Sequence, residues 1–257
     1  MLALKEITKH YNSGSVNEIC LFEKFDFSVE EGEFVAVVGS NGSGKTSLLN
    51  LICGSIEPDD GEIFINDRAI TNQKDYFRQR KIGRVYQNPS KGTCANMTIL
   101  ENMSLADQKG KKYGLSRGIN KSRIAYYKEL LSSLELGLED KLQVQVGKLS
   151  GGQRQALALL MAVLTPIDFL ILDEHTAALD PKTGDIIMKL TDKIVREKKL
   201  TTVMVTHNLR YATEYGDRLV MLHQGKIVLD KSGEEKRKTK TEDIMGIFNR
   251  ISVECGN

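Results

Sequence analysis

A chain of 257 residues is long enough for one large domain with a substantial buried core. Its 36 basic and 34 acidic residues leave a formal charge of +2, a near-balance that argues against nucleic acid as the main partner. Cys20, Cys53, Cys94 and Cys255 are scattered, with no CxxC spacing and no clustered histidines, so the pattern speaks for reduced thiols in a cytoplasmic compartment and against a disulfide framework or a cysteine–histidine metal site.

The first residues mix acid and base, unlike a secretory signal. Strand patterns open the chain at 2–7 and 25–29. Residues 33–38 (Glu-Phe-Val-Ala-Val-Val) are nearly continuous apolar, as in a parallel strand covered on both faces. They run into a glycine loop and then a helix over 46–52. Residues 62–65 alternate charged and apolar side chains, a strand with one wet face. The stretch 82–86 again reads as a strand. Thr98 and Glu101 form a capping-box pattern that opens a short helix. The Gly/Lys-rich 108–120 reads as a mobile surface loop, and the basic run Lys109, Lys111, Lys112, Arg117, Lys121 and Arg123 as its solvated face.

Ile124, Tyr127, Leu131, Leu134 and Leu138 recur at three- and four-residue steps, one face of a helix. Another helix covers 153–164, stopped near Pro166. The longest apolar run, 156–164, falls far short of the ~20 residues of a membrane-spanning helix. A strand at 169–172, a helix at 181–198 and a strand at 201–205 follow. Two runs, 219–222 and 226–229, flank His223-Gln224-Gly225 as a hairpin. The tail is polar from 231 until Ile244, Met245, Ile247, Phe248 and Ile251, which can form one amphipathic helix.

Three stretches carry chemistry. Gly39-Ser40-Asn41-Gly42-Ser43-Gly44-Lys45-Thr46 matches the P-loop pattern between a buried strand and a helix. Its glycines let backbone N–H groups and the helix N-terminus face a phosphate. Lys45 is then placed to reach the β- and γ-phosphates, and Thr46 to set its hydroxyl on Mg²⁺. A buried strand ending in Asp173-Glu174 resembles a Walker B element extended by one acid, which implies that Asp173 would hold the metal and Glu174 polarise an attacking water, although such a pair can also simply start a turn. Leu149-Ser150-Gly151-Gly152-Gln153 is a capping box for the next helix, and its tip is also an anion site facing outward. The P-loop already serves the phosphate of its own chain, so a second chain related by two-fold symmetry would have to bring this tip another.

Taken together, these motifs resemble those of ATP-binding cassette (ABC) ATPases over nearly the whole chain. On that resemblance Tyr11 matches the aromatic that stacks on adenine, and Gln87 matches the Q-loop glutamine. Ala178-Leu179-Asp180 matches the D-loop, and His207 the switch histidine near the γ-phosphate. The resemblance implies an α/β fold: a P-loop NTPase (RecA-like) core with an antiparallel β subdomain and an inserted α-helical subdomain. It implies a single ATPase domain over 1–257, with the helical insert at 88–164 and a short tail at 231–257.

The catalytic set would be Glu174, His207, Gln87 and Lys45. ATP would be bound by Tyr11, the loop from Gly39 to Thr46 with Ser47, and, from the partner chain, Ser150, Gly151, Gly152, Gln153 and Asp180. Thr46, Gln87 and Asp173 would face Mg²⁺. The implied partners are a second copy of the chain in a head-to-tail dimer, a separately encoded membrane permease and, indirectly, an extracytoplasmic substrate-binding protein. The protein would then sit at the cytoplasmic face of the membrane, held through the permease.

The wording of 173–184 and of Gly233-Glu234-Glu235-Lys236 resembles a branch paired with permeases for aromatic amino acid uptake, tryptophan or tyrosine. A soluble cassette ATPase of another machine, such as iron–sulfur cluster assembly, is the rival reading. The chain departs from the family at His175 and Ala177, where Asp-Glu-Pro-Thr-Ser is usual. His10, His175 and His223 read as structural.

Overall fold

The computed structural model describes residues 1–112, 114 and 118–254, with side chains through residue 250. Cys255 and Arg117 of the basic run lie outside the described residues. The chain divides into two compact units, 1–78 with 199–257, and 79–198.

The first unit opens with an antiparallel sheet. Strand β1 (Leu2–Tyr11) pairs with β2 (Ile19–Val29) on one side and β4 (Asp60–Ile65) on the other, and β5 (Arg68–Ala69) extends β4. Both β1 and β2 outrun the apolar stretches that mark them. Polar residues 8–11 gain strand geometry by pairing across the hairpin, Lys9 with Phe22 and Tyr11 with Ile19. Leu2, Leu4, Ile7, Phe22, Phe25 and Phe27 bury the inner face, the term that drives the sheet together. Strand β3 (Phe34–Gly39), buried along its whole length, leads through the glycine loop into helix α1 (Lys45–Cys53). The buried Arg78, on the short helix α2 (Asp75–Gln79), donates to Leu51 O at 2.8 Å and Thr71 O at 2.6 Å. It thereby satisfies a carbonyl at the C-terminal end of α1.

In the second unit, β6 (Ile82–Val85) lies parallel to β7 (Phe169–Asp173), with Arg84 opposite Ile171. Helices α3 (Ile99–Asp107), α4 (Ile124–Ser132) and α5 (Gly151–Ala162) come between them, and α6 (Pro181–Lys198) follows. Helix α4 stops well before Leu138. Ser132 and Ser133 turn their hydroxyls back onto Glu129 O and Leu130 O, a local bond that competes with helix continuation. Glu135 then enters positive φ at 56°. Leu134 and Leu138 are buried all the same, from the turn and not from a helix face. The basic run is largely solvated, with Lys111, Lys112 and Lys121 exposed, but some of its side chains are also tethered. Lys109 donates to Ile82 O at 2.6 Å, while Lys111 and Arg123 pair with the buried Asp107 at 3.3 and 2.8 Å.

The chain then returns to the first unit. Strand β8 (Thr201–Val205) runs parallel beside β3, and β9 (Arg218–His223) runs parallel on its other side. The antiparallel β10 (Lys226–Ser232) completes the order β10-β9-β3-β8. Helices α7 (Leu209–Glu214), α8 (Gly233–Lys238) and α9 (Thr241–Glu254) close the fold. The polar stretch after 231 is a helix because the buried Lys236 donates to Thr213 O, Tyr215 O and Gly216 O at 2.7–2.9 Å, which caps the end of α7. Among the described residues no helix is long and apolar enough to cross a membrane.

Candidate functional site

Adjacent parallel strands deliver the first group of residues. The glycine loop leaves the C-terminal end of β3, and His207 follows the C-terminal end of its neighbour β8, where Thr206 N–H still donates to Val37 O at 3.2 Å. Loops at that edge of a parallel sheet are where ligands bind in open α/β folds. His207 is exposed, as are Asn41, Gly42 and Thr46. Gly42 and Gly44 take φ of 77° and 106°, which aims successive amides into the curve of the loop. Lys45 is buried, and its ammonium donates to Gly39 O at 2.7 Å and Ser40 O at 2.8 Å.

The loop is braced from the β9–β10 turn. Gly225 N–H donates to Ser43 O at 3.0 Å. Gly225 has φ of 73°, and a Cβ there would overlap the Leu21 carbonyl oxygen, so only glycine fits. Tyr11 meets this loop too: its hydroxyl lies 2.9 Å from Ser47 Oγ, which sets the half-buried ring beside the first turn of α1.

The second unit assembles its own group. Gln87 lies beyond the end of β6 and Asp173 ends the neighbouring β7, so both emerge at the same edge of the parallel pair. Asp173 Oδ2 accepts from Arg84 Nη2 at 2.7 Å, with the two side chains 18% and 14% exposed. Glu174 follows with φ of 49°, and Ala177 N–H closes the turn onto Glu174 O at 2.9 Å. A non-glycine residue in that region is strained by about 1–3 kcal/mol.

His175 anchors the same turn from below. It is buried, and its Nε2 lies 3.1 Å from Thr191 Oγ1. The Thr191 hydroxyl already donates to Ile187 O at 2.7 Å, so His175 Nε2–H must be the donor. Burial pushes its pKa down to about 4.

Ser150 caps α5 as its sequence requires: Oγ accepts from Gln153 N–H, and Gln153 Oε1 accepts from Ser150 N–H, both at 3.2 Å. The other end of the Gln153 amide donates to Leu136 O at 3.2 Å. Gly152 packs so closely on α6 that a Cβ would overlap Thr183 Cγ2. Asp180 in turn accepts from Thr183 N–H at 3.1 Å, and its hydrogen bonds with Thr183 hold its carboxyl below the usual carboxylate range. Ser150, Gly151, Gly152 and Asp180 are thus brought to one corner.

Two participants carry no sequence signal. The buried Gln155 donates to Tyr86 O at 3.1 Å, which ties α5 to the residue before Gln87. Arg84 pairs with Asp173. Neither pairing can be seen from spacing, because each joins residues far apart in the chain.

A family model described as ABC transporter matches residues 22–177. The chain belongs to the ABC transporter family. This cassette is 46% identical over 248 residues to a tyrosine transport ATP-binding protein of Clostridioides difficile (strain R20291), covering 96% of this chain and 98% of that one. It is 31% identical to the ABC transporter ATP-binding protein YxdL of Bacillus subtilis (strain 168), over 98% and 94% of the two chains. Among solved structures it superposes with a TM-score of 0.76 and 32% identity on the ATP-binding cassette MJ0796, a dimer in a post-hydrolysis state bound to ADP and Pi. The coverage is 90% of this chain and 98% of that one. The protein is therefore an ABC transporter ATP-binding subunit and an ATPase, on an α/β P-loop NTPase fold.

Proposed function

We propose that this cassette drives a separate membrane permease that imports aromatic amino acids, tyrosine foremost. Two copies would join head to tail around two ATP molecules. The observation that carries the cargo is the 46% identity, over nearly all of both chains, to a tyrosine transport ATP-binding protein. The dimer is supported by the geometry of α5. Its capped N-terminus is exposed at Ser150 and Gly151, an outward-facing anion site with the positive end of a helix behind it.

Within this proposal the loop from Gly39 to Thr46, with Ser47, cradles the triphosphate through its amides, and the Lys45 ammonium moves from its own loop carbonyls to phosphate oxygens. Tyr11 lies against the adenine. The residues fit Mg²⁺: the Thr46 hydroxyl, the Gln87 amide oxygen and the Asp173 carboxylate are hard oxygen donors with one negative charge among them. That set suits an ion that keeps its waters and arrives with phosphate. Bound there, Mg²⁺ would neutralise charge on the β- and γ-oxygens.

Glu174 holds the attacking water and accepts its proton. His207 donates toward the γ-phosphate, and Gln87 orients the water. Ser150, Gly151, Gly152, Gln153 and Asp180 of one copy close the pocket of the other. ATP touches both copies only when they are closed, so its arrival and its hydrolysis favour different states, which is what a pump cycle requires. The permease holds the cassette at the cytoplasmic face of the membrane, and a substrate-binding protein delivers cargo on the far side.

The test uses Glu174→Gln. The variant should bind Mg-ATP, hydrolyse it at least ~100-fold more slowly and accumulate as an ATP-bound dimer on size-exclusion chromatography. Wild-type turnover would remove Glu174 from its role. For cargo, the cassette would be purified in mild detergent with the permease it retains and reconstituted with the matching binding protein. ATPase activity should rise with tyrosine or tryptophan; a complex that responds only to non-aromatic solutes would overturn the assignment.

A further inference from the structure

Arg84 is out of place for the fold. Its neighbours on β6, Ile82, Gly83 and Val85, are buried, and an apolar side chain would complete that face without the desolvation penalty of a guanidinium. The arginine instead reaches across to the neighbouring strand. Its Nη2 sits 2.7 Å from Asp173 Oδ2, and the guanidinium lies over the Tyr86 ring, 4.8 Å from its centroid. Both partners are largely shielded from solvent, so their coupling is little weakened by salt. Arg84 therefore occupies an oxygen of the one carboxylate that the proposed function assigns to the metal side.

We infer that Arg84 is a positioning residue that acts through Asp173: it serves as an internal counter-ion whose positive charge opposes Mg²⁺ at that carboxylate. It thereby sets how strongly Mg²⁺ and ATP reinforce each other's binding. The inference rests on Asp173 facing the metal and adds a control on that role. Like charges a few ångströms apart repel. Removing Arg84 should therefore strengthen the coupling between metal and nucleotide, and Arg84→Lys should preserve it.

The experiment measures binding of a fluorescent methylanthraniloyl-ATP to the full chain, once in EDTA and once in saturating MgCl₂. The ratio of the two dissociation constants is the coupling itself. Arg84→Met should raise that ratio about tenfold over wild type, the scale of a charge at this range, while Arg84→Lys stays near wild type. In an Asp173→Asn background, Arg84→Met should leave the ratio unchanged. Should Arg84→Met fail to fold by circular dichroism, Arg84→Gln carries the same expectation with a polar side chain in place. A folded neutral variant whose ratio is unchanged or lower would overturn the inference. Loss of binding by the wild-type chain in both EDTA and MgCl₂ would count instead against the nucleotide cradle at Lys45.

Discussion

Acidification should unfold this protein partly through one buried histidine. His175 is neutral in the fold, donates from Nε2 to Thr191 and has its pKa pushed from 6.5 down to about 4 by burial. The unfolded chain therefore binds a proton more readily than the folded one between those values. The stability this site contributes is complete above about pH 7 and is lost as pH falls toward the folded value. Worked from the two pKa values, the loss between pH 7 and pH 4.5 is about 2–3 kcal/mol.

The matched variant is His175→Gln, whose amide can donate from the same place and does not titrate. The chain has no tryptophan, so urea unfolding would be followed by far-ultraviolet circular dichroism. Carboxylates contribute equally to both proteins, and the difference between them isolates the imidazole. Wild type should lose about 2–3 kcal/mol more than the variant across that range. Parallel stability curves for the two proteins would refute the assignment of a neutral, desolvated His175.

Other substitutions test the rest of the site. Gly225→Ala places a methyl group on the Leu21 carbonyl and should lower stability by more than about 2 kcal/mol. Through Ser43 it should also weaken ATP binding; an unchanged melting temperature would refute the close approach. Ser150→Ala removes the cap of α5 and should reduce unfolding free energy by about 1 kcal/mol. If the serine also closes a neighbour's pocket, ATPase activity should fall much further than that loss explains, which steady-state kinetics on the folded variant would show. Tyr11→Phe keeps the ring and loses the bond to Ser47, so ATP affinity should stay within about threefold. Tyr11→Ala should lose at least tenfold by the stacking it removes; equal affinities for the two variants would place adenine elsewhere.

What could be read from the chain and what could not divide along physical lines. Strand β3 and the start of α1 were legible because an apolar run, a glycine loop and a lysine–threonine pair fall in immediate succession. Capping boxes at Thr98 and Ser150 were legible for the same reason: partner and partner lie three residues apart. The polar ends of β1 and β2 were not, since residues 8–11 become strand only by pairing with 19–22. The end of α4 was hidden because buried Leu134 and Leu138 continue a helical spacing in a chain that has already turned. Helix α8 was unreadable as polar sequence; its order comes from Lys236 reaching back to α7. In the site itself, Arg84 and Gln155 were silent. Their importance lies in contacts across 89 and 69 positions of chain, and no local pattern carries such information.

The amide of Gln155 has one more implication. A single buried hydrogen bond fastens the middle of α5 to the carbonyl just ahead of Gln87, while Gly152, one turn nearer the tip, is wedged against α6. The helix is therefore gripped at two heights and cannot tilt alone. Whatever moves its serine-bearing end must either break that amide contact or haul the start of the glutamine loop along with it, as a latch moves with its door.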